Sequence, residues 1–178
     1  PDVIISVSGC GYLGAVHAAS MAELGHDVVG IDVDEAKIAA LSSGSAPFFE
    51  PGLPDLLERG ISRGRLRFTT DTTAARGAAV HFVAVGTPQR AGSDAADLRY
   101  VDAASRDLVV GKSPVPVGTA ARLAADVEAV GARLVWNPEF LREGFAVADT
   151  LTPDRLVYGV RPGDDRAVAL LDEVYESA

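Results

Sequence analysis

Cysteine is almost absent from this sequence: Cys10 is alone among 178 residues. One thiol makes neither an internal disulfide nor a cysteine-based zinc site, so neither can hold the chain together. Aromatic residues are only 6% of the chain, and Ala, Val and Leu must fill most of any core. No apolar run reaches the roughly 18 residues of a membrane span, and no secretory leader is visible. Basic residues are in the minority, 16 Lys and Arg against 25 Asp and Glu, giving a net charge of −9 and a pI near 4.7. A nucleic-acid surface needs a basic stripe, and none appears. His17, His26 and His81 share no metal-ligand spacing, so no metal site is expected and each reads as structural or solvated. These absences describe a reduced, cytoplasmic, soluble protein without nucleic-acid or membrane partners.

What is present is enough for one well-packed domain: 48% hydrophobic and 23% charged residues, with a mean hydropathy of +0.17. Short β-branched or apolar runs predict strands at 3–8, 27–32, 66–69, 79–85, 108–111, 133–136 and 155–160. Between them, helices are predicted at 15–24, 35–41, 53–59, 98–105, 119–130 and 164–176, with Asp34 as an N-cap and Gly25 closing the first helix. The acidic last helix reads as a solvated face. Strands alternating with helices indicate an α/β fold, a Rossmann-type doubly wound parallel sheet with helices on both faces. One link is too short. A helix over 98–105 rises only about 12 Å, and Arg106 alone then separates it from the next strand, which is tight for a right-handed crossover. A segment is expected to be missing near Ser105 and Arg106.

The strongest local signal is Gly9-x-Gly11-x-x-Gly14. It follows a predicted strand and opens a predicted helix, and Asp32 stands 18 positions beyond its last glycine at the end of the second strand. Gly9 permits the turn, Gly11 admits a pyrophosphate to the backbone, and Gly14 brings the helix close to the sheet. The helix N-terminus attracts the phosphates. A carboxylate at Asp32 accepts ribose hydroxyls and repels a 2′-phosphate, so NAD is preferred to NADP. Cys10, inside this loop, reads as a small packed residue rather than a nucleophile.

Further motifs follow: IDVD at 31–34 with Lys37, FEPGL at 49–53, LRFTTD at 66–71, VGTP at 85–88, KSPVPVG at 112–118 and NPEFLREG at 137–144. With the glycine loop, they resemble the N-terminal NAD-binding domain of the UDP-glucose and GDP-mannose dehydrogenase family along the whole chain. The resemblance implies oxidation of a sugar nucleotide's primary alcohol to a carboxylate with two NAD, through an enzyme-bound thiohemiacetal and thioester. UDP-glucose is the first substrate implied, with GDP-mannose or UDP-N-acetylmannosamine as alternatives. It implies NAD contacts from Gly9, Cys10, Gly11, Tyr12, Leu13, Gly14, Asp32, Lys37, Val85, Gly86, Thr87, Pro88, Ser113 and Glu143. It makes Glu139 the acid/base group, and it lines the substrate site with Glu139, Phe140, Leu141, Arg142 and Glu143. A helix starting at Pro138 would put Glu139 and Glu143 on one face, although Pro138 and Glu139 also suit a plain helix start.

Two departures stand out. Pro114 occupies a position where the family has a threonine, removing a hydroxyl and a backbone N–H. The nucleophilic cysteine, the central helix and the substrate domain are expected beyond residue 178, with a homodimer as the expected form of the longer protein. A non-catalytic NAD-binding module is the rival reading.

Overall fold

The computed structural model describes residues 2–85, 107–113 and 118–178. Six strands form one parallel sheet in the order β3-β2-β1-β4-β5-β6. They are β1 Ile4–Ser8, β2 Asp27–Ile31, β3 Leu66–Thr69, β4 Val80–Val83, β5 Leu108–Gly111 and β6 Arg133–Trp136. The helices are α1 Tyr12–Glu23, α2 Glu35–Ser42, α3 Leu53–Ser62, α4 Thr119–Ala129, α5 Ala146–Leu151 and α6 Asp165–Tyr175. The strand order is that of the Rossmann fold, and the chain reverses direction across the sheet between β1 and β4.

Side chains alternate across the strands and divide the core. On one face Ile5, Val7, Val28, Val80, Phe82, Val110 and Val135 join buried residues of α1, α3 and α6. On the other, Val29 and Ile31 meet Ala75 of a short 3₁₀ turn, and Val109 meets Val127 of α4. Helices therefore cover both faces, as the alternation of elements predicts. α1 has no polar side, because every residue from Gly14 to Ala22 is buried. It lies between the sheet and helices α3 and α5.

Local signals act as read at several ends. Asp34 caps α2 by accepting from the Lys37 N–H at 3.0 Å. Gly25 follows α1 with φ +103°. Strands 66–69, 108–111 and 133–136 form over the residues read for them. His26 joins two distant ends, its Nδ1 accepting from the Val3 N–H at 3.3 Å and its Nε2 donating to the Val174 carbonyl at 2.8 Å.

Two readings are corrected. The stretch 155–160 forms no strand; it makes a single antiparallel bridge, Gly159 to Trp136. It lies outside the parallel ladder at the β6 edge, with Leu156 and Val157 each 40% exposed. NPEFLREG at 137–144 is not helical, and the helix starts only at Ala146. Asn137 is held by Lys112 and the Val157 carbonyl, and the Arg142 N–H and guanidinium both bond Asp149. These tertiary bonds replace the helical ladder, so the shared helix face expected of Glu139 and Glu143 does not exist. The predicted helix at 98–105, the expected gap at Ser105 and Arg106, and Gly86, Thr87, Pro88 and Pro114 lie outside the described residues.

α1 lies in close contact with the turn before it. A Cβ on Gly14 would stand 1.7 Å from the Gly9 carbonyl oxygen. Backbone cannot yield as a flexible side chain does, so Gly14→Ala is expected to cost about 3 kcal/mol, the upper end for overpacking. Urea unfolding of the two proteins measures it.

Candidate active site at the carboxyl edge of the sheet

The strand register carries every loop that leaves a strand's carboxyl end to one edge. Ser8 is level with Ile31 and Val83, and Gly111 with Val83 and Trp136. Gly9, Asp32, Ala84, Lys112 and Asn137 thus begin the loops of a single rim, where doubly wound sheets bind ligands.

On the β1–β2 side, Gly9 adopts φ +89°, and a Cβ there would meet the Val85 nitrogen at 2.7 Å. Gly11 differs: among the described residues nothing lies within 4 Å of the position its Cβ would take. That open space is what a pyrophosphate needs for close approach to the backbone. Gly11 is also the N-cap of α1, which carries no acidic residue in its first turn and no side-chain cap. Its opening N–H groups remain available for an anion.

Asp32 stands beside this turn. Its Oδ2 accepts from the Cys10 N–H at 2.8 Å and from Lys37 Nζ at 2.9 Å, and its Oδ1 accepts from the Asp34 N–H at 3.0 Å. Burial pushes the carboxyl group upward, but these donors outweigh it and hold Asp32 below the usual carboxylate range. The carboxylate is therefore ionised and oriented before any ribose arrives. Cys10 serves the turn from within: its N–H is committed to Asp32, and its side chain is fully buried. Burial, then the charge of Asp32, push the thiol up to about 12.

Across the switch point, Ser113 Oγ donates to the Val85 carbonyl at 2.9 Å. Two of the residues read as cofactor contacts thus meet directly, at the ends of β4 and β5.

Further along the rim lies a cavity of about 570 Å³ lined by Lys112, Glu139, Phe140, Leu141, Arg142, Arg155 and Tyr175, among others. Lys112 is 3% exposed. Its Nζ lies 2.7 Å from Glu139 Oε2, in the geometry of an ion pair rather than an aligned hydrogen bond. It also donates to Asn137 Oδ1 at 3.0 Å and to the Tyr175 hydroxyl at 3.3 Å. Tyr175 donates in turn to Asn137 Oδ1 at 2.8 Å. Burial lowers the Lys112 ammonium from its ordinary value, and Glu139 opposes that shift. Arg142 is turned to Asp149, with Nη2 to Oδ1 at 2.6 Å, and the Arg155 guanidinium lies 4.8 Å from the Phe140 ring centre. Glu143 is exposed; burial and then the bond to Glu50 push the Tyr12 hydroxyl up to about 12, and the Glu143 charge adds least.

Those sequence-read residues that the structure describes thus gather on one rim, with Glu139 to Arg142 at the cavity and Gly9 to Gly14 at the switch point. Lys112, Asn137, Tyr175 and Glu50 make buried polar contacts with these segments, and the reading from sequence names none of them as site residues. Asn137, Lys112 and Glu50 do fall within motifs noted above; Tyr175 carries no local signal at all. A second polar chain lies inside the sheet. Ser6 Oγ and His81 Nδ1 are 2.7 Å apart, and His81 Nε2 is 3.3 Å from Asp107. The order of groups is that of a nucleophile triad, but all three residues are buried, so the chain is structural. His17 is likewise buried, packed on Phe82 at 4.2 Å. Among the described residues no helix is long and apolar enough to cross a membrane, and no group of three His, Cys, Asp or Glu could hold a metal.

With this geometry established, similarity to known proteins is decisive. The sequence model for the UDP-glucose/GDP-mannose dehydrogenase family, NAD binding domain, matches residues 3–178. This chain belongs to that family. It is 46% identical to a UDP-glucose 6-dehydrogenase of Rhizobium meliloti, covering 96% of the chain and 42% of the relative. A UDP-glucose dehydrogenase structure from Pyrobaculum islandicum superposes with a TM-score of 0.81 at 43% identity, over 99% of this chain and 44% of that one. A GDP-mannose dehydrogenase structure from Pseudomonas aeruginosa gives 0.81 at 35% identity, over 97% and 44%. The chain spans less than half the length of these relatives. The Rhizobium alignment runs over 185 positions, more than the 178 residues of this chain, so that relative carries residues this one lacks. As its family's NAD-binding domain, the chain takes NAD as cofactor, and the open seat at Gly11 beside an ionised Asp32 suits that group.

Two outcomes follow from this geometry. Asp32→Asn removes charge-assisted bonds at a partly screened site and should cost about 1 kcal/mol at neutral pH. Because the folded carboxyl group sits below its unfolded value of about 3.9, the contribution is complete above that pH. It disappears as pH falls through the folded value. Urea midpoints of the two proteins should therefore differ at pH 7 and converge as the pH is lowered below about 3.9. Separately, a thiol reagent at pH 8 should leave Cys10 unmodified in the native protein and label it fully in denaturant.

Proposed function

We propose that this chain supplies the cofactor-binding part of an NAD-dependent oxidation of a sugar nucleotide, UDP-glucose to UDP-glucuronate. The observation carrying this reading is the single rim: an open glycine turn and oriented Asp32 on one side of the switch point, and a carboxylate-bearing cavity on the other. Identity to UDP-glucose 6-dehydrogenases, at 46% in one case, favours UDP-glucose over GDP-mannose or UDP-N-acetylmannosamine. In this reading residues 1–178 are one domain of a longer, homodimeric cytoplasmic protein.

In this reading each residue of the rim has a role. The first-turn N–H groups of α1 hold the pyrophosphate, Asp32 accepts the adenosine ribose hydroxyls with Lys37 beside it, and Val85 and Ser113 border the nicotinamide half. NAD, when bound, accepts the hydride. Glu139 takes the proton of the reacting hydroxyl; its Oε2 is fixed by Lys112 at 2.7 Å, and its Oε1 accepts from the Phe140 N–H at 3.2 Å. Phe140, Leu141 and Arg142 line the sugar-nucleotide side, and Glu143 reaches towards the cofactor. Cys10 is buried with its thiol pushed up to about 12, so a thioester intermediate would need a different thiol.

Calorimetric titration checks the cofactor assignment. NADH should bind at least about tenfold more tightly than NADPH, a difference of about 1.4 kcal/mol, because Asp32 opposes a 2′-phosphate. Gly11→Ala should unfold at nearly the same urea concentration as the parent yet bind NADH at least about tenfold more weakly. Equal binding of NADPH, or an unaffected Gly11→Ala, would refute the assignment. Turnover of the three sugar nucleotides by the longer protein ranks the substrates.

A further inference from the structure

Glu50 is an acid with no evident reason to be buried. It lies in the FEPGL loop ahead of α3, and it is 2% exposed. Among the described residues no lysine or arginine pairs with it; its donors come from elsewhere in the chain. The Tyr12 hydroxyl donates to Oε2 at 2.5 Å, the Gly144 N–H to the same oxygen at 2.9 Å, and the Val147 N–H to Oε1 at 3.3 Å. Desolvating a carboxylate is costly unless its lone pairs are occupied, so these bonds hold the three segments to one another.

The segments differ in kind. Tyr12 is the first residue of α1, directly after Gly11, and its backbone N–H belongs to the free turn facing the pyrophosphate seat. Its ring is fixed by Phe48, with centroids 5.1 Å apart. Gly144 ends NPEFLREG, the segment bearing Glu139 and Glu143. Val147 lies in the first turn of α5, whose N-cap Phe145 has no side-chain acceptor. Glu50 supplies that missing acceptor from 97 positions away.

We propose that Glu50 is a positioning residue that couples the dinucleotide turn to the Glu139–Gly144 segment through the Tyr12 hydroxyl. Filling the pyrophosphate seat then shifts the segment that carries the acid/base group, and the two halves of the rim respond together. The inference rests on the cofactor assignment above. The bond is made by the side chain of a residue whose backbone serves the ligand. A displacement of α1's first turn therefore moves the hydroxyl, and the hydroxyl moves Glu50 and the Gly144 N–H.

The test uses the chain itself, with assigned backbone amide resonances and NADH as the titrant. In the parent protein NADH should shift the amides of Gly11 and Leu13 and also those of Gly144 and Val147. Tyr12→Phe removes one oxygen and keeps the ring on Phe48. It should retain the Gly11 and Leu13 shifts and lose those at Gly144 and Val147. Glu50→Gln should lose the distant shifts too, because a carboxamide presents an N–H₂ group to a donor in place of one oxygen. A purely structural Glu50 would lower the melting temperature and leave the ligand-linked shifts intact, which would overturn the proposal. Distant shifts that persist in Tyr12→Phe, or that are missing from the parent while Gly11 responds, would also overturn it. No response even at Gly11 and Leu13 would overturn the cofactor assignment, and the coupling with it.

Discussion

The contact between Gly14 and the Gly9 carbonyl oxygen is the constraint on which the rest of this structure depends. It lets α1 lie against the turn that precedes it with no side chain between them. From that placement α1 buries itself among the sheet, α3 and α5, aims its first N–H groups over the rim, and sets Tyr12 on Glu50. A helix held even slightly farther out would part all three. A steric fact at one backbone atom thus governs a packing arrangement, an anion seat and a polar network.

Two buried polar side chains, Glu50 and Lys112, stand near this rim, and each is satisfied by groups far away in sequence. Lys112 leaves the end of β5 and meets Asn137 and Glu139 after β6 and Tyr175 at the end of α6. Glu50 gathers α1, the segment at Gly144 and α5. Breaking a buried polar group away from its partners is expensive, so these two side chains hold loops that have no regular structure of their own. The rim is stiff where a cofactor and an acid/base group must be aligned, although its backbone is mostly irregular.

Much of the fold was legible because its causes are local. Val, Ile and Leu in short runs make buried parallel strands, and the Gly9–Gly14 spacing makes a strand–turn–helix. Asp34 caps the residue three positions after it. The failures have the opposite cause. Pro138 and Glu139 carry good helix-start chemistry, yet Asn137 and Arg142 find better partners in Lys112 and Asp149. α5 is only six residues long, and its cap comes from Glu50, so no window of sequence announces it. The apolar stretch at 155–160 has strand composition, but beside the β6 edge it forms only the Gly159–Trp136 bridge. The buried polar residues that local reading passed over, Lys112, Asn137, Tyr175 and Glu50, find their partners in other elements.

The Tyr12–Glu50 bond changes how the glycine fingerprint itself should be understood. Position 12 is a wildcard in that motif, free to vary because only its backbone faces the phosphates. Here its side chain satisfies a buried acid in a different loop, so the wildcard has a partner. Replacing either residue alone strands the other. A fingerprint usually treated as three fixed glycines is, in this domain, three glycines and a tyrosine whose hydroxyl is tied to an acid 38 residues downstream.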